Sequence, residues 1–245
     1  MMKNSMFDKI IKLFFVKKCV ACRDVMPYDS NEYLCDECAS KWKKEKTEIC
    51  PVCLKGQTKC VCGFGRSELD SVRHLAMYSH ADNNSVAKGL IFALKKSNDS
   101  DVFDFVAKEI AGNLIGNVNA ENTIVINVPR NPNTVREVGY DHAKKLAERI
   151  ALLLSVRYVD VLGQKKNKKE QKTLNSMQRM ENARKNFYYK SDCQENINGY
   201  NVILVDDIGT TGATLKVCAE LLKKNGAKSV RAVVAAKNKY INKKT

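Results

Sequence analysis

Residues 202–214 read VILVDDIGTTGAT, and the order of residue types in this run decides the fold. Val202, Ile203, Leu204 and Val205 form a short unbroken apolar run, the signature of a strand buried on both faces. Asp206 and Asp207 stand at its carboxyl end. The Gly- and Thr-rich turn that follows feeds directly into Ala213–Asn225, whose apolar spacing predicts a helix. Backbone N–H groups at the start of such a helix, with the helix dipole behind them, bind a phosphate dianion. Gly209 and Gly212 let the backbone approach closely, and the hydroxyls of Thr210, Thr211 and Thr214, on either side of Ala213, add donors. Asp206 and Asp207 then stand about one sugar length away, placed to accept hydrogen bonds from vicinal hydroxyls, at the end of the sheet where open α/β proteins keep their ligands.

Outward from this run, strands and helices alternate. Val72–Tyr78 predicts a strand, and Asn83–Lys95 and Val102–Ile115 predict helices. Thr123–Val128 reads as a buried strand running into a loop at Pro129 and Pro132. Asp141–Ser155 predicts an amphipathic helix, and Asn201–Asp206 and Ser229–Ala236 predict strands on either side of the helix after Gly212. The alternation implies an α/β fold with a parallel, doubly wound sheet. Gly163–Lys190 departs from it, with nine basic residues against Glu170 and Glu181 and few apolar ones. That composition implies an excursion, a hairpin or hood over the site.

Eight of the ten cysteines fall within Cys19–Cys62, as Cys19-x2-Cys22, Cys35-x2-Cys38, Cys50-x2-Cys53 and Cys60-x-Cys62. Two thiolates at such spacing grip one tetrahedral Zn²⁺ through a tight turn, and two such knuckles close a four-sulfur shell. The arithmetic implies two structural zinc sites. The simplest pairing sets Cys19, Cys22, Cys35 and Cys38 in one and Cys50, Cys53, Cys60 and Cys62 in the other; an interleaved pairing satisfies the same spacing. Four disulfides are the alternative, and they require an oxidising compartment for which no signal peptide is visible. Lys41, Trp42, Lys43, Lys44 and Lys46 lie between the second and third knuckles, either touching nucleic acid or forming a solvated face with a buried Trp. Cys218 belongs to a core stripe, and Cys193 has no partner nearby in sequence.

The chain divides into residues 1–66, an N-terminal helix with the cysteine module, and residues 67–245, the α/β domain. Its 245 residues carry 42 basic and 27 acidic side chains, a formal charge of +15, which fits a polyanionic partner or an anionic ligand. The apolar run Ile10–Val16, broken by Lys12, is too short to span a bilayer and reads as a helix capping the cysteine module. With no other stretch of transmembrane length, the expectation is a soluble, cytoplasmic protein.

The run Val202–Thr214 resembles the signature of type I phosphoribosyltransferases. The resemblance implies that Asp206 and Asp207 bind the ribose hydroxyls of phosphoribosyl pyrophosphate while Thr210–Thr214 cradle its 5′-phosphate. The cysteine knuckles, the helix ending Leu94-Lys95, the loop Val128–His142, and the string Gln171-x2-Leu174-x4-Arg179-x2-Asn182-x4-Phe187 extend the likeness to the ComF family. That family joins a double zinc ribbon to a phosphoribosyltransferase-like domain and is associated with competence, DNA uptake and natural transformation. One segment departs from the family pattern: Arg-Gly-Phe-Asn-Gln appears here as Val138-Gly139-Tyr140-Asp141-His142, lacking one Arg. Arg130 and Arg136 are the candidate pyrophosphate clamps, with the lysines of residues 165–172.

Transfer from phosphoribosyl pyrophosphate passes through an oxocarbenium-like state, so the resemblance implies Mg²⁺ with the pyrophosphate as well as the cationic side chains. Thr210 stands where purine-salvage members carry a carboxylate, which argues against that role. Three functions follow: a competence accessory protein binding phosphoribosyl pyrophosphate or a related ribose phosphate and single-stranded DNA; an active phosphoribosyltransferase on an unidentified base or amine; or a zinc-ribbon scaffold for a DNA-uptake helicase with a regulatory ligand site. His142 reads either as a base beside the pyrophosphate loop or, preferred here, as a solvent-facing residue at a helix start. His74 and His80 read as structural.

Overall fold

The computed structural model describes residues 16–50, 54–56, 68–79, 81–166, 176–191, 194–209 and 212–238. In chain order its elements are α1 (Asp36–Glu45), β1 (Ser71–Tyr78), α2 (Val86–Lys96), α3 (Ser100–Gly112), β2 (Thr123–Asn127), α4 (Pro132–Val138), α5 (His142–Leu154), β3 (Arg157–Tyr158), β4 (Leu162–Gln164), α6 (Ser176–Asn186), β5 (Phe187–Tyr189), β6 (Asn201–Gly209), α7 (Ala213–Lys224) and β7 (Ser229–Asn238).

The apolar run 202–205 is part of β6, the middle strand of a five-stranded sheet ordered β1-β7-β6-β2-β3. Every pairing in this sheet is parallel. Because side chains alternate across a strand, β6 serves two cores. Ile203 and Val205 pack with Leu146, Ala147 and Ile150 of α5 and with α2 and α3. Val202 and Leu204 pack with Leu215, Cys218 and Leu222 of α7 on the other side. Helices on both faces make the sheet doubly wound, as the alternation implied, and explain why its strands read as unbroken apolar runs. Each fully enclosed Leu or Ile here contributes about 1.5–3 kcal/mol relative to its exposed state.

Three helices are absent from the sequence expectations: α1, which follows Cys35 and carries Cys38, and then α4 and α6. The loop after β2 contains α4, opened by Asn131, whose side chain accepts from Asn133 N, with Pro132 in the first turn. An Asn-Pro pair is a capping signal. The basic excursion contains α6, which has no strong apolar face but is built of good helix formers. It packs on α7, where Arg184 Nη2 lies 3.0 Å from Glu220 Oε1. The antiparallel pair β4–β5 closes the base of this excursion; residues 167–175, including Lys168, Lys169 and Lys172, lie outside the described residues.

The described part of the cysteine module joins the α2–α3 side of the core. Cys19, Val20, Cys38 and Trp42 share one apolar cluster with Leu90, Leu94 and Phe103. Trp42 is 4% exposed, and its Nε1 donates to Glu109 Oε2 at 2.8 Å, so the ring is buried while Lys43 and Lys44 beside it are exposed. Glu45 accepts from the backbone N–H groups of Val86 at 2.7 Å and Ala87 at 2.8 Å, which are unpaired donors at the start of α2. At Gly89 a Cβ would stand 2.5 Å from the Ala21 carbonyl oxygen, so only glycine permits this close approach of α2 to the knuckle. Among the described residues no helix is long and apolar enough to cross a membrane. The run Ile10–Phe15, His80 and Cys193 lie outside the described residues.

Candidate ligand site and metal knuckle

The parallel register places Asn127 of β2 beside Val205 of β6, and Val128 N donates to Val205 O at 2.9 Å. The chain leaving β2 therefore delivers Arg130 to the residues that follow Val205. Arg130 Nη2 reaches Asp207 Oδ2 at 2.8 Å. His142 Nε2 lies 3.0 Å from the same oxygen and Lys95 Nζ 3.2 Å from it. Side chains from α2, from α5 and from the loop after β2 thus converge on one carboxylate of β6, whose side chain is 4% exposed. Burial by itself would push the Asp207 carboxyl up, but Arg130, His142 and Lys95 outweigh it and hold it well below the ordinary range. Arg130 responds in turn: burial opposes its charge, and Asp207, Asp206 and Asp141 together hold its pKa above the ordinary value.

Asp206 behaves in the opposite way. It faces the α7 side, where Cys218 is pushed up first by burial and then by the Asp206 charge. Burial, followed by the neighbouring Asp207, raises the Asp206 carboxyl well above its ordinary value. Its Oδ1 accepts from Asp207 N at 2.8 Å. Adjacent acids with divergent affinities for a proton are a mark of functional sites.

The segment that departs from the family pattern has a local logic. Gly139, at φ 88°, ends α4 in the left-handed region. The Tyr140 hydroxyl lies 2.9 Å from the carbonyls of both Leu94 and Ser97 and fixes the end of α2, where Lys95 sits. Asp141 caps α5 by accepting from Lys144 N at 3.0 Å, and it also accepts from Arg130 N at 3.3 Å. His142 is buried and turned to Asp207, which corrects the expectation of a solvent-facing residue. Sequence periodicity could not tell which side of the first turn of α5 meets β6. Lys95 is legible in sequence only as the end of a helix: it lies on α2, far from the acid pair in sequence, and only tertiary packing brings it to Asp207.

Of the two clamp candidates, Arg130 joins Asp207, whereas Arg136 is exposed on α4 and shows no contact with either acid among the described residues. Gly209 closes β6 opposite Lys237, and Gly212, at φ 70°, turns the chain into α7. Ala213 is buried and Thr214 half-buried in the first turn of α7, which has no side-chain cap. Thr210 and Thr211 lie outside the described residues.

Cys19, Cys22, Cys35 and Cys38 offer four sulfur atoms within 4.8 Å of one another. Cys22 Sγ and Cys35 Sγ are 3.8 Å apart, the edge of a tetrahedron with metal–sulfur bonds of about 2.3 Å. Burial opposes ionisation of Cys19, but the N–H groups of Cys22, Cys35 and Ala21 bring its thiol down to about 7. Burial pushes Cys22 up to about 12, so a cation is needed before all four can be thiolates. The donor set therefore fits a closed structural metal site. The described residues of the Cys50 segment make two backbone hydrogen bonds at the same offsets as the Cys19 segment. Cys19 N donates to Asp24 O, Arg23 N to Cys19 O, and Arg23 has φ 70°. At the same offsets Cys50 N donates to Lys55 O, Leu54 N to Cys50 O, and Leu54 has φ 55°. Cys53, Cys60 and Cys62 lie outside the described residues.

The chain belongs to the phosphoribosyl transferase domain family, whose model matches residues 100–244. Over most of its length it is also similar to curated competence proteins. It is 26% identical over 233 residues to competence protein ComFC of Streptococcus pneumoniae (strain ATCC BAA-255 / R6), covering 87% of this chain and 97% of that one. It is also 26% identical over 209 residues to competence protein ComFC of Bacillus subtilis (strain 168), covering 82% of each. Among solved structures it is similar to orotate phosphoribosyltransferase from Aeropyrum pernix, at 21% identity and a TM-score of 0.35, over 58% of this chain and 63% of that one.

Proposed function

We propose that this chain is a competence-type accessory protein that binds phosphoribosyl pyrophosphate, or a related ribose phosphate, with Mg²⁺ at Asp206–Thr214, and that its zinc-bearing, basic surface contacts single-stranded DNA. The observation that carries the reading is the cluster of Arg130, His142 and Lys95 on Asp207 at the carboxyl end of the middle strand, directly before the turn into α7. Both acids are enclosed, so a sugar reaching Asp207 must displace Arg130 or Lys95. The displaced cation is then at hand for the ligand's pyrophosphate, while the Gly212 turn presents the N–H groups of α7 to the 5′-phosphate. The side chains of Cys19, Cys22, Cys35 and Cys38 would hold one zinc ion, and the matching hydrogen bonds at Cys50 support a second. Contacts to DNA would run through phosphates, without reading sequence.

Thermal stabilisation by phosphoribosyl pyrophosphate with Mg²⁺ tests the ligand, because a molecule that binds only the native state raises the melting point. The Asp206→Asn, Asp207→Asn double variant should lose that shift; a variant that keeps it sinks the assignment. DNA binding is expected to weaken steeply between low and moderate salt. The second reading is an active phosphoribosyltransferase, favoured by the pairing of a low carboxyl on Asp207 with a raised one on Asp206. Pyrophosphate release across a panel of bases and amines distinguishes it from the first.

A further inference from the structure

A cavity of about 730 Å³ lies between the Cys19–Cys22 knuckle, α1 and α2, and it reaches Tyr78, Lys95 and Ile208 at the carboxyl end of the sheet. Its volume falls in the range of small-molecule sites. Its wall carries Arg23, Lys41, Lys88, Lys95 and Lys96 against Asp24 and Glu37, with Arg23 ion-paired to Asp99 at 2.9 Å, Lys41 to Glu37 at 2.7 Å and Lys95 to Asp207 at 3.2 Å. The polar lining is ordered. Lys88 Nζ donates to Asn83 Oδ1 at 2.6 Å, and Lys41 Nζ donates to Asn84 Oδ1 at 3.3 Å. Among the described residues the Lys96 side chain forms neither a hydrogen bond nor an ion pair, and the residue is exposed. The other part of the wall is apolar, with Ile91, Ala93 and Ile208 beside Phe92, whose ring is 66% exposed at the surface.

Cations alone would suit any anion, but an apolar wall with an exposed aromatic ring is of no use to inorganic phosphate. A planar heteroaromatic ring stacks on such a face, and a phosphate monoester meets the lysines. We infer that the cavity between the metal knuckle and α2 is a second ligand site, taking a nucleoside monophosphate unit whose base lies against Phe92 and whose phosphate meets Lys96 and Lys95. The metal module then forms one wall of a binding site, and the two ligands meet at Lys95, which faces both the cavity and Asp207. The inference stands independently of sugar binding at the acid pair. The monophosphate unit could come from a free nucleotide or from the 5′ end of a single strand, and the chemistry of recognition is the same.

Calorimetric titration of the zinc-loaded full chain with dAMP, deoxyadenosine, inorganic phosphate, and dT tetramers with and without a 5′-phosphate tests this. Binding of dAMP is expected, with deoxyadenosine about tenfold weaker. Lys96→Glu and Phe92→Ser, both at exposed positions, should each weaken dAMP about tenfold while leaving the ligand-free melting point unchanged. Capture of the phosphorylated tetramer but not the unphosphorylated one assigns the strand end as the source; binding of dAMP with neither tetramer assigns the free nucleotide. No heat from dAMP up to about 10 mM, or equal binding by wild type and both variants, overturns the inference. Stabilisation by phosphoribosyl pyrophosphate should persist in Lys96→Glu and Phe92→Ser, so that failure at the acid pair and failure at the cavity are read separately.

Discussion

Asp207→Asn should cost far more stability than Asp206→Asn, although the two residues are neighbours on one strand. The Asp207 carboxylate meets Arg130 at 2.8 Å, His142 at 3.0 Å and Lys95 at 3.2 Å with its side chain 4% exposed. Asn keeps the shape and removes the charge, which leaves a largely enclosed guanidinium without its counter-ion. Removing one partner of a buried ion pair costs about 3–5 kcal/mol. Arg130 and Lys95 side chains are 26% and 36% exposed and can turn toward water, which places the cost near the lower end, about 3 kcal/mol. Asp206 is different. Burial and its neighbour already disfavour its charge, and Asn supplies the same acceptor oxygen to Asp207 N. Its replacement should cost under about 1 kcal/mol. Urea unfolding of the metal-loaded protein at neutral pH reads both: with a slope of about 2–3 kcal/mol per molar, Asp207→Asn lowers the midpoint by about 1–1.5 M at unchanged slope. A larger loss from Asp206→Asn, or a midpoint for Asp207→Asn equal to wild type, would refute the reasoning.

Trp42 is the only tryptophan in the chain, and it shares a core cluster with Cys19 and Cys38. Chelation of the metal, or Cys22→Ser without chelator, should shift its emission toward that of a solvent-exposed indole; emission unchanged in both cases would disprove the metal assignment. His74 predicts an acid-sensitive step. Burial, then Lys237, lowers its pKa from 6.5 to about 4, so the native state resists a proton that the unfolded chain accepts. Its stabilisation is fully present above about pH 6.5 and is lost as pH falls toward 4, about 3 kcal/mol across that window. Unfolding midpoints measured from pH 7 to pH 4 should fall more steeply in wild type than in His74→Gln; parallel curves would remove His74 as the cause.

The strands and long helices were legible because burial leaves a periodic trace. The run 202–205 is apolar at every position because both faces of β6 are covered, and Asp141–Ser155 shows a helical stripe because one face of α5 meets the sheet. The short helix α4 and the polar helix α6 left no such stripe, since capping and propensity sustain them more than a buried face does. Asp206 and Asp207 were legible as a pair, but their separation to opposite faces, one met by Arg130, His142 and Lys95 and the other shut in near Cys218, was not.

Local patterning by itself determined the parallel α/β architecture, the spacing of the cysteine pairs and the position of the acid pair, because each strand, helix, cysteine pair and turn is written in a short run of residues whose spacing obeys one backbone geometry. Tertiary structure alone decided that Arg130, His142 and Lys95 share one oxygen of Asp207, that Glu45 holds the start of α2, and that the knuckle walls a cavity beside the site. These contacts join residues tens of positions apart, and sequence patterning carries no term for them: they follow from the order of strands in the sheet and from which side of each helix the core happens to cover.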